Sequence, residues 1–524
     1  SPMRCDNYCP FIGECIHNIN MIEQGKLIFG RVQVRNEIKT KTILKARNEL
    51  KMIVQDIIEN AEKGIYVIKA PAGLGKTEEY INACKDHNLT IAVPTHRLKE
   101  GVSERLSDKS IDHFSIPELP HMEGSKRQRL ERLYNTGAFR GAKAYLSKLA
   151  VGNTEIKDYL DELDNSRSIR NKTILTTHKR VLHDKDHNDT IIIDEDIILS
   201  ALFDINTVSI WDITLIKERL IAEPSIAKLS RSKRIIDEIL SILINSPEGL
   251  VQKTPNFFMP YANEIEKIIA LDDRITTNVI SFLSSSHFIK IRGKDGDIQI
   301  RFINRMQLPD KKIIIMSATI DEVIAKMVFG EQIYFHDVGE VEQMGKLIQI
   351  ANKSFTKSVI NKNPKEMYNL AKNLMEIHNP NSKVITFKGY FTDISEKGIN
   401  FWNNAGIDEL KGENLTIIGT PHVDPYFYLL FANALGHDVQ FDGSKINYLP
   451  ASDGNYKFYF YTYGSDDFLR AIQFYIVKTE LIQAVGRART ITKPCRVLIL
   501  SNFPVPGAEF IPYTKKEIMD LKVS

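Results

Sequence analysis

The chain has 524 residues, of which 43% are hydrophobic and 26% charged, a composition ordinary for a globular protein and long enough for two or three domains with full cores. Its 69 basic and 66 acidic residues nearly cancel, leaving +3, so any polyanion partner has to be met by a local patch rather than by overall charge. No stretch approaches the roughly 20 apolar residues of a membrane span, and the N-terminus lacks the apolar core of a signal peptide, which argues against a membrane partner and for a cytoplasmic setting.

Three of the five cysteines, Cys5, Cys9 and Cys15, fall within the first 15 residues, with His17 just beyond. A secreted disulfide scaffold of this length would spread its cysteines more widely. Thiolates this dense suit Zn²⁺ or, as the alternative, a 4Fe–4S cluster, with His17 or Cys84 as the open choice for a fourth ligand. From Arg35 to Asn60 apolar residues recur at close to helical spacing, at Leu50, Ile53, Val54, Ile57 and Ile58 among others. Gly64 to Lys69 then reads as a buried strand.

Ala70-Pro71-Ala72-Gly73-Leu74-Gly75-Lys76-Thr77 follows, and a helix can start at Glu78. A strand, a glycine loop and a helix start gather backbone N–H groups around a triphosphate, where the helix dipole also favours negative charge. Gly73, Leu74, Gly75, Lys76 and Thr77 are therefore the nucleotide-binding candidates. Lys76 would reach the β- and γ-phosphates, and Thr77 would hold Mg²⁺. Further buried strands are expected at 89–96, 173–178 and 190–196, the last opening on three consecutive isoleucines. Asp194-Glu195 ends that strand, where one carboxylate is needed for Mg²⁺ and the next to orient attacking water. A largely helical insertion separates Asp196 from Lys311. Strands return at 313–316, 383–387, 415–420 and 496–500, in a pattern of alternating strands and helices that indicates parallel α/β sheets in two consecutive copies.

Three further segments complete the set. Ser317-Ala318-Thr319 follows the strand at 313–316. Gly419-Thr420-Pro421-His422 follows another. Gln483-Ala484-Val485-Gly486-Arg487-Ala488-Arg489 lies on a helix near the C-terminus, and a guanidinium presented from there to a γ-phosphate would stabilise transition-state charge.

In this order the motifs resemble those of superfamily 2 helicases of the DEAD/DEAH-like kind, over most of residues 40 to 500. Gly73 to Thr77 matches motif I, Val93 to Arg97 motif Ia, Asp194-Glu195-Asp196 motif II and Ser317-Ala318-Thr319 motif III. Thr386-Phe387-Lys388 is similar to motif IV, Gly419-Thr420-Pro421 to motif V, and Gln483 to Arg489 to motif VI. The stretch from Asn404 to His422 also looks like phage- or plasmid-borne DNA helicases. Motif II departs from the common form in carrying Ile197 at its fourth position, and the second arginine of motif VI stands one position early.

The resemblance implies two tandem RecA-like P-loop domains with parallel sheets. A short metal-binding segment would span 1–34, the first RecA-like domain 35–345 with helical insertions at about 100–170 and 200–310, and the second 346–524. It implies an ATP-dependent helicase or translocase, acting on single-stranded or forked DNA with RNA as an alternative, and a replication, primase or nuclease partner. Lys76, Asp194, Glu195, Gln483, Arg487 and Arg489 would be catalytic, with Thr77 and Asp194 on Mg²⁺. Ser317 and Thr319 would couple, and Thr95, His96, Arg97, Thr420 and His422 would meet the polynucleotide. A duplex translocase that does not unwind, and a nucleotide-gated accessory of a primase complex, are the alternatives.

Overall fold

The computed structural model describes residues 32–523 apart from 35–38, 170, 184–187, 223–228, 258–261, 293–297, 404–408, 440–445 and 465. The segment with Cys5, Cys9, Cys15 and His17 thus lies outside the described residues. Among the described residues no helix is long and apolar enough to cross a membrane, and no cluster of three or more His, Cys, Asp or Glu side chains is arranged to hold a metal.

A seven-stranded parallel sheet carries the first half of the motifs, in the order 333–337, 65–69, 312–317, 190–194, 90–93, 173–177, 113–115. The isoleucine run explains its centre. Ile191, Ile192 and Ile193 are completely buried, as a strand covered by helices on both faces must be. Lys312–Ser317 lies between that strand and Ile65–Lys69, in register from Ile313 opposite both Ile65 and Ile191. The sheet thereby sets the P-loop, Asp194 and Ser317 side by side at one edge, the carboxyl ends of its strands. Helix Ile43–Asn60 covers one face, burying Ala46, Leu50, Val54, Ile57 and Ile58 at spacings of three, four and one.

A second parallel sheet, of five strands, runs 383–385, 415–418, 496–500, 346–350, 509–510. Two parallel sheets in tandem, each flanked by helices, fit a pair of RecA-like α/β domains. The 20-residue helix Asp467–Gly486 belongs to the second half and carries Gln483 close to its end. A three-stranded antiparallel sheet (33–34, 456–462, 447–453) lies beside it.

The 200–310 segment differs from its expected, largely helical form. Beside helices Ile210–Ala222, Leu229–Asn245, Ala262–Leu271 and Val279–Leu283 it builds a four-stranded antiparallel sheet, in the order 203–208, 298–305, 287–292, 251–253. In His287–Arg292 the four residues Phe288 to Ile291 are all buried, so the polar–apolar alternation that announces a strand is missing. The 124–150 helices share a core with this segment, through Leu130, Leu133 and Leu146 packed with Ile216, Ile239 and Phe302. Two insertions far apart in sequence therefore form one lobe.

A separate apolar seam joins the halves. Leu429, Phe431, Ile472 and Tyr475 of the second half pack in one core with Ile193 and Ile315 of the first sheet and Ile289 and Ile303 of the lobe. Separating this buried seam would expose apolar surface, at a cost of about 25 cal/mol per Å².

Candidate nucleotide site and the cleft around it

The P-loop takes its shape from glycine. Gly73 and Gly75 sit at φ +88° and +118°, where a side chain would be strained. Helix Lys76–Ala83 starts at once, with Glu78 and Glu79 in its first turn. Lys76 is buried, and its ammonium donates to the carbonyls of Ala70 (3.0 Å) and Pro71 (3.5 Å). Arg47 fixes the loop from outside by donating to the Leu74 carbonyl at 2.9 Å. Leu74 faces the core.

Asp194 meets this helix. Its Oδ2 accepts from Tyr80 Oη at 2.7 Å and from Thr77 Oγ1 at 3.3 Å. Burial pushes the carboxyl up to about 6, and Glu195 adds to the effect while Lys76 opposes it. Two oxygen donors held together in a buried pocket, one of them a carboxylate that a cation would keep ionised, fit Mg²⁺. That ion usually takes only one or two protein ligands and shares phosphate oxygens.

Glu195 follows in a left-handed backbone conformation at φ +74°, which costs a residue with a Cβ on the order of 1–2 kcal/mol. Its neighbours fix the turn. Glu195 N donates to Met316 O at 2.9 Å. His178 Nε2 lies 2.9 Å from the Asp194 carbonyl; because a carbonyl only accepts, this nitrogen carries the proton. Burial holds His178 neutral by pushing it down to about 4.

The opposite wall comes from the second half. Gln483, Arg487 and Arg489 line one cleft of about 1540 Å³ with Lys76, Thr77, Asp194 and Glu195. The two halves touch at the P-loop, where a Cβ placed on Gly486 would sit 2.7 Å from the Cβ of Ala72. The stem of Arg489, itself at φ +60°, lies 3.3 Å from the same kind of probe at Gly73. Glu480, one turn before Gln483, is pushed up to about 7 by burial, against the Trp402 N–H and Arg487. Trp402 N donates to Glu480 Oε2 at 2.9 Å, and Lys357 Nζ stands 5.4 Å from the Trp402 ring centroid.

The other expected site residues divide. Thr95 caps helix His96–Asp108 through Leu98 N (3.3 Å) and lines the cleft. His96 is half-buried, 3.6 Å from Glu118. Arg97 is exposed and reaches Glu409 of the second half at 2.9 Å, an ion pair of the solvated, weak kind. Ser317 and Thr319 are buried and bond to each other at 3.2 Å, while Ser317 O accepts from Ala70 N at 2.9 Å. Thr420 does not face the cleft: its buried hydroxyl is bonded to Ser501 and Asn502, so it braces the loop. Cys84 is likewise a packed thiol donating to Tyr80 O and pushed up to about 11 by burial.

Two basic side chains also serve the fold. Arg132 donates to the carbonyls of Ile269, Asp272 and Ile275, and Lys290 to those of Ile244 and Ser246. Both close helix ends inside the lobe.

His422 lines the cleft with its ring stacked on Phe460 at 5.0 Å and its Nδ1 3.4 Å from Gln473 Nε2. Burial pushes it down to about 4. A histidine whose folded value lies below its ordinary 6.5 contributes stability that is complete above pH 6.5 and lost as pH falls towards 4. The stability difference between wild type and His422→Gln should therefore shrink by up to about 3 kcal/mol between pH 7 and 4 in denaturant titrations. A constant difference would show that His422 is not held neutral.

Tyr80, His178, Arg47 and Glu480 were not expected from the sequence. Only Tyr80 carried a signal, three residues after Thr77 and so on the same helix face.

No family model and no curated protein matches this chain. Among solved structures it resembles S. tokodaii Xpd4, with 10% identity over 88% of this chain and 95% of that one and a TM-score of 0.46. It also resembles S. cerevisiae Dbp5 bound to RNA and ADP BeF3, at 9% identity over 92% and 95% of the two chains (TM-score 0.34). The DUF1998 helicase MrfA bound to DNA is similar at 9% identity over 97% of this chain and 54% of that one (TM-score 0.29). What the cleft can do follows from its own residues.

Proposed function

We propose that this chain is an ATP-driven nucleic-acid motor of the superfamily 2 kind, a helicase or translocase that couples hydrolysis to opening and closing of the cleft. The observation that carries the reading is the meeting of a P-loop and two acidic residues from one parallel sheet with Gln483, Arg487 and Arg489 from the other half, across a single cleft.

The chemistry is hydrolysis of the γ-phosphoryl group. Lys76 and the loop N–H groups neutralise charge on the β- and γ-phosphates. Thr77 and Asp194 would hold Mg²⁺, which would offset charge on the phosphates. Glu195 orients the attacking water and takes its proton as the new P–O bond forms and the bond to the β-γ bridging oxygen breaks. Arg487 meets the developing charge from the opposite wall, so turnover requires the halves together. Product release would let the halves part at the cleft.

Thr95 and His422 line the cleft, and with His96 and Arg97, which open the helix that Thr95 caps, they are the residues proposed to meet a strand, chiefly at its phosphates. Such contacts are largely blind to sequence and sensitive to salt. DNA is the substrate that the sequence resemblance implies. A fluorescent single strand should bind about tenfold or more weaker at 200 mM than at 50 mM salt, by anisotropy. Binding indifferent to salt would remove the phosphate track from the proposal.

A further inference from the structure

The fourth position of the acidic motif is Ile197, fully buried in the seam, so it offers no polar link to the second half. The third position does. Asp196 is buried, and one of its oxygens accepts from Ile198 N at 2.9 Å, which caps the turn that follows. Its other oxygen accepts from the hydroxyl of Tyr475, also buried. Tyr475 stands eight residues before Gln483 on helix Asp467–Gly486, the helix whose end presses on the P-loop.

We propose that Tyr475 and Asp196 are positioning residues for the hydrolytic centre: the Tyr475–Asp196 hydrogen bond holds the strained Glu195 turn in its working geometry only while the second-half helix is docked. Glu195 lies immediately between Asp194 and Asp196 in a left-handed conformation, held by its own N–H to Met316 O and by the bonds on both neighbours. Asp194 is held from within the first half, by Tyr80, Thr77 and His178. Asp196 is braced within its own turn by Ile198 N and by the Ser200 hydroxyl on its carbonyl (2.9 Å), and from the second half by Tyr475 alone. The second half therefore contributes to Glu195 by a route separate from Arg487, and both routes run along one helix.

This rests on the proposed ATPase, and the test separates the two. Tyr475→Phe removes only the hydroxyl, and Asp196→Ala removes the acceptor. In the full chain without nucleotide, amide hydrogen exchange at 194–198 should quicken about tenfold or more in Tyr475→Phe, with the P-loop helix unchanged. Steady-state turnover should fall about tenfold to a hundredfold in either variant, with KM for ATP within about twofold. The double variant should be no slower than the slower single, because the two groups act as a pair. Unchanged exchange would overturn the link whatever the turnover. Faster exchange with wild-type turnover, or effects that multiply in the double variant, would overturn its catalytic consequence. A wild-type chain that does not hydrolyse ATP would remove the ATPase reading, while the exchange result still decides the link.

Discussion

Lys76→Ala is expected to lower ATP turnover at least about 10³-fold while leaving strand binding within about threefold of wild type. The ammonium is buried in the loop and satisfied by the Ala70 and Pro71 carbonyls, so it is already positioned where the proposed β- and γ-phosphates would arrive. A fixed positive charge in a site of low dielectric has no substitute nearby, and phosphoryl transfer depends almost wholly on such placed charge. The residues proposed to meet a strand are different ones, which is why binding should survive. Turnover by phosphate release and binding by anisotropy, on the same preparation, check both halves. Retained turnover in this variant would sink the assignment.

Arg487→Ala should be nearly as damaging, with a fall in kcat of about 10³-fold or more and KM for ATP changed only a few-fold. The arginine comes from the second half and is useful only where transition-state charge develops, so it supports kcat rather than ground-state affinity. Arg487→Lys should rescue little, since a point charge on a flexible stem does not reproduce the planar guanidinium. An Arg487→Ala chain that kept a tenth of wild-type turnover would show that the second half does not complete the site.

Much of this site was legible because its chemistry lies in short, local patterns. A glycine loop after a strand and before a helix, and an acidic pair closing an isoleucine run, each state their role within about eight residues. The strands were legible where both faces are buried, as at Ile191–Ile193. They were not legible at Lys346–Ile350, where Gln349 interrupts the apolar run although it is completely buried. Its amide donates to Ser501 O and Phe503 O and accepts from Val505 N, so its polarity is answered by a loop about 150 residues away. Ile333–Asp337 is an edge strand with mixed exposure, which leaves neither a run nor an alternation.

The misplaced side chains have a common cause. Thr420 was matched to a motif, but whether a hydroxyl faces a cleft or its own loop depends on Ser501 and Asn502, which arrive from another strand end. Arg132 and Lys290 stand in charge runs that a sequence shows plainly, while the carbonyls they cap come only with the fold. The bond between Asp196 and Tyr475 spans 279 positions, and only the folded chain brings its partners together.

The central claim is that hydrolysis at this cleft is governed by a polynucleotide. It is tested most directly by steady-state ATP hydrolysis of the purified chain, alone and with single-stranded DNA, duplex DNA or single-stranded RNA. The account predicts slow basal turnover, strong stimulation by single strands, and loss of both in Lys76→Ala. Turnover that no polymer changes, or turnover that survives Lys76→Ala, would contradict it.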